Sequence, residues 1–313
     1  MTSMSAAARS SVRRRYVPAG ELDLDATLQP HVRGRFDPCH QIHADGAHWR
    51  TWRTPDGPAT LRLAVEAGGG AVDVEAWGGG AAWALDAVPD LLGAQDDWSG
   101  LSIEHRILRD TRRRRLGLRL SRSRRVFEAL VPAIIEQLVT GVEARRTWAQ
   151  LLRRFGEPAP GPSPDGMRVF PEPVVLTQIP DWDWHRVGLD GSRRRAVIAA
   201  ARVAHRLDEA ATFDVEKATS RLTTLHGVGV WTAAETVQRS HGAGDLVSVG
   251  DYNLPSMVGY VLTGRPRTDD AGMLALLEPY RGHRQRVVRL VEACGVVPPR
   301  YGPRMAPRDN RRI

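Results

Sequence analysis

The sequence predicts an α+β protein, with a small antiparallel sheet and helices at the N-terminus followed by an all-α domain. Three observations carry this. Between Ala59 and Trp77 apolar residues alternate with polar ones at period two; from about residue 126 onward they recur at a period near 3.6. The arginine-rich "DTRRRRLGLRLSRSRR", residues 110–125, separates the two regimes. At 313 residues the chain is long enough for about two domains with cores of their own.

Taken in order, "MTSMSAAARSSVRRR", residues 1–15, is Arg- and Ser-rich and poor in acids. It resembles an organellar transit peptide but lacks the apolar core of a secretory signal, and we read it as a disordered basic tail. Residues 16–110 form the α+β domain. "HWRTWRT", 48–54, is a strand beside a hairpin in which Leu61, Leu63 and Val65 alternate with Arg62 and Glu66. The chain turns at Gly68–Gly70, then Val72, Val74 and Ala76 alternate with Asp73 and Glu75. "AAWALDAVPDLLG" reads as a helix packed on that sheet. Residues 111–313 form the helical domain. Phe127, Leu130, Val131, Ile134, Ile135 and Leu138 fall at i, i+3, i+4, i+7, i+8 and i+11, a wide apolar helix face. Further helices are expected at 144–155, 192–206, 214–224, 231–240, 252–262 and 283–294, with the Pro- and Gly-rich 156–173 as a loop and no repeat of solenoid period.

The formal charge is +8, and Lys217 is the only lysine among 44 basic residues. Such a balance favours polyanionic partners through counterion release, although an arginine bias also arises from nucleotide composition. No apolar run approaches the roughly 18 residues of a membrane span. Cys39 and Cys294 lie too far apart in sequence to form a ligand spacing, which argues against a cysteine-held zinc or iron–sulfur centre and fits a reducing compartment. We expect no membrane association and a cytoplasmic, nucleoid-associated location in a bacterium.

"LTTLHGVGVWTAAETVQ", residues 222–238, joins two apolar stripes, one through Val215, Ala218, Leu222 and Leu225, the next through Trp231, Ala234 and Val237. Gly227 and Gly229 permit unusual torsions and remove side chains that would hold a ligand away. Amide N–H groups at the start of the second helix, beside the positive end of its dipole, suit a phosphate and are blind to base sequence. An ordinary helix–turn–helix connection is the plainer reading of a lone GxG pair.

That stretch resembles the hairpin of the helix-hairpin-helix DNA glycosylases, Leu-Pro-Gly-(apolar)-Gly-x-x-Thr-Ala, with His226 in place of the proline. "VGDYNLP" supplies Asp251 about twenty residues on, where the family has an aspartate opening a helix. "VPAIIEQLVTGVEARRTWAQLLRRFG" is similar to the family's early helix, with Gln137 and Leu138 as its Gln-Leu pair, and "PYRGHR" resembles its later Pro-(aromatic)-Arg stretch. The likeness spans nearly the whole chain and is nearest the 3-methyladenine, alkylation-repair branch.

The resemblance implies a monofunctional glycosylase that flips a damaged base, expected to be an alkylated purine, from double-stranded DNA and leaves an abasic site. It assigns DNA contacts to Gly227, Val228, Gly229, Thr232 and Gln137, and a stack-filling wedge to Leu138 on its apolar helix. Trp231 and Tyr280 become pocket aromatics that stack on the base and attract its positive charge, with Tyr252, Glu235 and Asn253 beside them. Asp251 becomes the carboxylate that stabilises sugar oxocarbenium charge or orients water; it is also a natural helix N-cap. The Schiff-base lysine of strand-cutting members would stand where this chain has Trp231, so no lyase step is expected. No cofactor is required, though main-chain carbonyls of Thr223, Leu225 and Val228 are the implied holders of a Na⁺ or K⁺ ion. The chain is expected to work as a monomer.

His226, Glu235, Asn253 and Tyr280 depart from the usual pattern. Glu235 and Asn253 make a more polar pocket, unless Glu235 is taken up by an arginine. Arg193–Arg195, opening a helix, are the better phosphate candidates among the arginine clusters; residues 112–115 are read as solvated. A DNA-binding or damage-sensing protein that kept the hairpin and lost turnover is the alternative function.

Overall fold

The structure, a computed structural model, describes residues 11–299. Of the expected basic tail, residues 1–10 lie outside the described residues, but its last part is a strand. β1 (Val12–Tyr16) pairs antiparallel with β5 (Val72–Trp77), Arg13 opposite Glu75 and Tyr16 opposite Val72. Ion pairs Arg13–Glu75 (2.9 Å) and Arg15–Glu66 (2.6 Å) fix the register, and Tyr16 is buried. A string of arginines on an edge strand therefore reads locally as a tail, although cross-strand acids hold it.

After β1 come α1 (Leu24–Leu28), β2 (His40–Ile42), β3 (His48–Thr54), β4 (Gly57–Val65), β5 and α2 (Ala81–Leu91). The sheet order is β1-β5-β4-β3-β2, antiparallel throughout. Leu61 and Leu63 on β4 and Val74 and Ala76 on β5 point to one face, where Trp52, Ala84, Val88 and Leu91 complete a core. This is the α+β domain and hairpin that the alternation predicts.

Residue 110, where the sequence places the domain boundary, falls inside a helix. α3 (Arg106–Arg114) occupies much of the arginine-rich stretch, buries Leu108 and Thr111, and lays Arg112 over Trp98 at 4.2 Å. Leu108 belongs to a cluster with residues of the chain's last helices. Arginine stems cover apolar surface while their heads stay wet, which hides such a helix from a hydrophobicity reading.

The helical region continues through α4 (Val126–Ile135), α5 (Gly141–Phe155), a short ribbon of β6 (Glu157–Pro158) and β7 (Arg168–Val169), α6 (Pro173–Gln178), α7 (Asp181–Val187), α8 (Gly191–Arg202) and α9 (Ala204–Glu209). It closes with α10 (Val215–Thr223), α11 (Val230–His241), α12 (Leu254–Thr263), α13 (Asp270–Leu277) and α14 (Arg284–Ala293). The β6–β7 ribbon lies inside the expected loop, and α6 and α7 are too short to show a 3.6 period. Phe127, Leu130 and Ile134 of α4 pack with Trp148, Leu222 and Val237; Val258, Met273, Leu277, Val287 and Val291 form the second helical cluster with Leu108. Arg53 of β3 donates to the Phe170 carbonyl at 2.8 Å and its main chain donates to Glu128 of α4, so the sheet is fastened to the helices.

Candidate active site

α10 and α11 are joined by a tight bend. Gly227 has φ +82°, and a Cβ there would stand 2.8 Å from the Ala196 Cβ of α8, so both torsion and space require glycine. Gly229 differs from expectation. Its φ of −92° is ordinary, and nothing lies within 4 Å of where its Cβ would be. It is the N-cap of α11 with no side chain to accept from the helix, so the first amides of that helix have no capping side chain. Val228 pins the bend by burying its side chain and donating to the Leu225 carbonyl at 3.0 Å.

Leu138 is not on α4. That helix stops at Ile135, three residues after Pro132, and Leu138 follows with φ +53° and 102% exposure. The turn is held from both sides. Gln137 donates to the Gly227 carbonyl at 2.9 Å and to the Thr232 hydroxyl at 2.7 Å, while Arg193 donates to the Ile135 carbonyl at 2.6 Å. Thr140 and Glu143 then form a capping box that starts α5. A leucine with left-handed backbone costs about 1–2 kcal/mol, and full exposure of its side chain adds no compensating burial. Periodicity sees this residue as the last member of an apolar face; the fold ejects it beside the hairpin.

Asp251 accepts three hydrogen bonds. The amides of Asn253 and Leu254, at the start of α12, donate to Oδ1 at 2.8 Å each, and Trp231 Nε1 donates to Oδ2 at 3.0 Å. The N-cap position of α12 is Asn253, whose side chain makes no capping bond; Asp251, two residues earlier, accepts from the amides there instead, is tied to the first turn of the hairpin helix, and lines a cavity of about 310 Å³. That volume suits a small ligand.

The cavity is lined from several segments of the chain. Glu235, Gln238 and Arg239 come from α11, and Asp251, Asn253, Leu254 and Met257 from α12 and its approach. α14 contributes Gln285, Val288 and Arg289, the N-terminal part of the chain contributes Gln29–Arg33, and the segment between α3 and α4 contributes Arg119–Ser121. Two arginines bind the N-terminal wall to the helices: Arg239 donates to the Pro30 carbonyl at 2.9 Å, and Arg289 to Gln29 Oε1 at 3.2 Å and the Ala26 carbonyl at 3.0 Å.

Electrostatically the site is polar and strongly paired. Glu235 accepts from Arg239 at 2.7 Å and from the Ser248 hydroxyl at 2.5 Å. Burial pushes its carboxyl up, yet the Arg239 charge and these hydrogen bonds outweigh burial and leave it below the usual range. His31, bonded to Ser121 at 2.8 Å, is pushed well below its ordinary value by burial, and by the charges of Arg50, Arg239 and Arg33, so it faces the cavity as neutral imidazole near pH 7.

The structure therefore brings together Asp251, Trp231, Glu235, Asn253, Gln137, Thr232 and the Gly227–Gly229 bend. It separates others. Tyr280 is 2% exposed in the second helical cluster, with its hydroxyl 2.6 Å from His105 Nδ1, and it lines no part of the cavity. Tyr252 is 92% exposed and stands outside the cavity. Trp231 contacts the site through its indole N–H to Asp251 and is not a cavity wall. Arg193 is buried and bonded to Asp190, a brace for the Leu138 turn and not an open phosphate contact. Sequence reasoning passed over the walls at 29–33, 119–121, 285 and 289. The one available signal was a pair of polar residues four apart on α14 amid Val287, Val288, Leu290 and Val291.

Comparison with solved structures supplies the architecture. A 3-methyladenine DNA glycosylase from Archaeoglobus fulgidus aligns with a TM-score of 0.74 at 18% identity, covering 90% of this chain and 98% of that one. MBOgg1, solved in complex with a low-affinity DNA ligand, aligns at 0.70 and 18% identity over 91% and 95%. An 8-oxoguanine glycosylase/lyase from Clostridium acetobutylicum aligns at 0.66 and 13% identity over 88% and 93%. No family model and no curated protein matches the sequence. The chain has the α+β helix-hairpin-helix glycosylase fold.

Proposed function

We propose that the protein is a monofunctional DNA N-glycosylase of base-excision repair, which extrudes a damaged base from duplex DNA and hydrolyses its N-glycosidic bond. The observation that carries this reading is Asp251, fixed by three donors at a cavity wall, one donor coming from Trp231 in the first turn of the hairpin helix. A phosphate gripped by the open amides after Gly229 would bring the adjoining deoxyribose towards that carboxylate. Leu138, strained and fully exposed, supplies apolar surface for the vacated stack, and Gln137 couples its position to the bend.

In the reaction, the bond between the base nitrogen and the sugar carbon breaks with its electron pair leaving on the base, while water adds to the carbon and gives up a proton. Positive charge develops on the sugar ring, and a fixed carboxylate alongside stabilises it or orients the water. Hydrolysis without strand cutting is favoured because the sole lysine, Lys217, sits on α10 with its ammonium 4.2 Å from the Phe213 ring and does not line the cavity. The carbonyls of Thr223, Leu225 and Val228 follow the negative end of α10, a donor set that suits a monovalent cation; such an ion would brace the bend. The chain is proposed to act as a monomer on double-stranded DNA in the cytoplasm, without a cofactor.

The alkylated-purine expectation rests on Trp231 and Tyr280 as stacking surfaces. Neither lines the cavity, so the cavity wall offers no aromatic face of that kind. The test of the function is incubation of the full chain with duplexes carrying methylated and deaminated bases. Base release should occur with strand breaks appearing only after alkali, and Asp251→Asn should reduce release by on the order of 10²–10³ while retaining binding. Release unchanged in Asp251→Asn would overturn the assignment; tight binding without release by either form would identify a damage sensor.

A further inference from the structure

Resting on the glycosylase reading for duplex DNA as the ligand, we propose that Arg35 and Phe36, at the tip of a turn between α1 and β2, form a second DNA contact that engages the strand opposite the damaged nucleotide. Phe36 is 69% exposed and is, among the described residues, the one exposed phenylalanine. Arg35 is exposed beside it, with its guanidinium carbon 5.4 Å from the ring centroid. The turn beneath them is tightly held. The Asp37 amide donates to the Gly34 carbonyl at 3.2 Å. The buried Asp37 carboxylate accepts from the amides of Arg33 (2.7 Å) and Cys39 (2.9 Å) and from Trp148 Nε1 of α5 (2.9 Å). Gly34 has φ +89°, and a Cβ there would stand 2.4 Å from Arg145 Cδ, so the backbone lies close against α5. A ring held out in water by so fixed a scaffold loses little freedom on meeting a partner.

Position selects the partner. Residues 33–37 follow α5 from Trp148 past Arg145 to the turn that carries Leu138, where Arg33 pairs with Glu136 at 3.5 Å. Arg145 reaches back to the start of α5, its Nη1 3.4 Å from where a Cβ on Gly141 would be. The Leu138 turn is therefore tied to the hairpin bend through Gln137 and to the Arg35–Phe36 turn through Glu136. In the proposed function the bend takes a phosphate of the strand that carries the lesion. A wedge entering the stack at Leu138 then leaves the complementary strand to the side away from the bend. The chemistry of that side fits nucleic acid. Arg35, Arg145 and Arg146 are exposed cations for phosphates, while Phe36 and Val142 are exposed apolar surface for sugars and base edges.

The test is anisotropy titration of the full chain with three duplexes that share a tetrahydrofuran abasic-site analogue: one unmodified, one with neutral methylphosphonates around the site in the lesion strand, and one with them in the complementary strand. Arg35→Ala should weaken binding about threefold to the first two and leave the third unchanged, because its phosphate partner is already neutral there. On the unmodified duplex it should also lower the slope of log affinity against log salt by about 1. Phe36→Ala should weaken binding about fivefold with the salt slope unchanged, and Phe36→Leu should recover part of the loss by restoring apolar surface. A loss that disappears on the lesion-strand methylphosphonate duplex instead, equal losses on all three as misfolding produces, or parental affinity in Arg35→Ala or Phe36→Ala would overturn the complementary-strand contact and leave the glycosylase standing. The expected pattern in a chain that releases no base from any duplex would overturn the glycosylase and leave this contact standing. Absence of duplex binding by the parent overturns both.

Discussion

Gly229→Asp should move stability and DNA affinity in opposite directions. The position has φ −92°, free space around the missing Cβ, and serves as an N-cap that offers the helix no side-chain acceptor. An aspartate there accepts from the exposed amides and complements the dipole of α11, a gain of about 0.5–1 kcal/mol. The same carboxylate occupies the proposed phosphate seat and repels the phosphate. Allowing for screening, that costs about 2 kcal/mol, on the order of 30-fold in Kd. Losing one phosphate contact should also reduce the slope of log affinity against log salt by about 1. Anisotropy titrations on an abasic-site duplex at several salt concentrations measure both quantities, and thermal unfolding followed by circular dichroism measures stability. Gly227→Ala is the contrasting control: φ +82° and the 2.8 Å approach to Ala196 should destabilise the fold by about 2–4 kcal/mol. Gly229→Asp binding within twofold of the parent, with an unchanged salt slope, would refute the idea that this bend grips a phosphate.

Other outcomes follow from the same geometry. Leu138→Gly relieves a left-handed leucine that buries nothing, so the melting temperature should rise, by about 1 kcal/mol of stability, while base release falls; a loss of stability would show that the exposed side chain is structural. Tyr280→Phe removes the hydroxyl bonded to His105 and should cost about 1 kcal/mol in denaturant titration with base release unchanged, because the ring belongs to the core. The carboxyl of Glu235 is held below its ordinary value by Arg239 despite burial, so its contribution is fully present above the unfolded Glu value of about 4.3 and is lost as pH falls below it. Glu235→Gln leaves Arg239 without its countercharge, should cost about 3 kcal/mol at pH 7, and should flatten stability between pH 5 and 3; identical pH profiles would dismiss the pair as a stabilising element.

The hairpin and its aspartate were legible in sequence because their determinants are local. A glycine at a positive φ, an apolar anchor at Val228 and an aspartate accepting from the amides that open the next helix are each read from a few neighbouring residues. The β-hairpin at 57–77 was legible for the same reason. The arginines misled in both directions. Those of β1 read as tail and those of α3 as linker, since nothing nearby in the chain reveals Glu75, Glu66 or Trp98 as partners. Arg193 read as a phosphate contact, although the carbonyl it serves belongs to Ile135, 58 residues away.

By itself, the sequence determined the order of sheet and helices, the bend, and the carboxylate that follows it, because backbone torsion and amphipathic period are properties of neighbouring residues. Tertiary structure alone decided what surrounds that carboxylate. It turned Tyr280 into the core, ejected Leu138 from a helix whose period it continues, and closed the cavity with residues 29–33, 119–121, 285, 288 and 289. The physical reason is that a cavity wall is defined by which side chains remain after every helix has buried its apolar face. That remainder depends on contacts between segments more than 200 residues apart, such as Arg239 with Pro30 and Arg289 with Ala26.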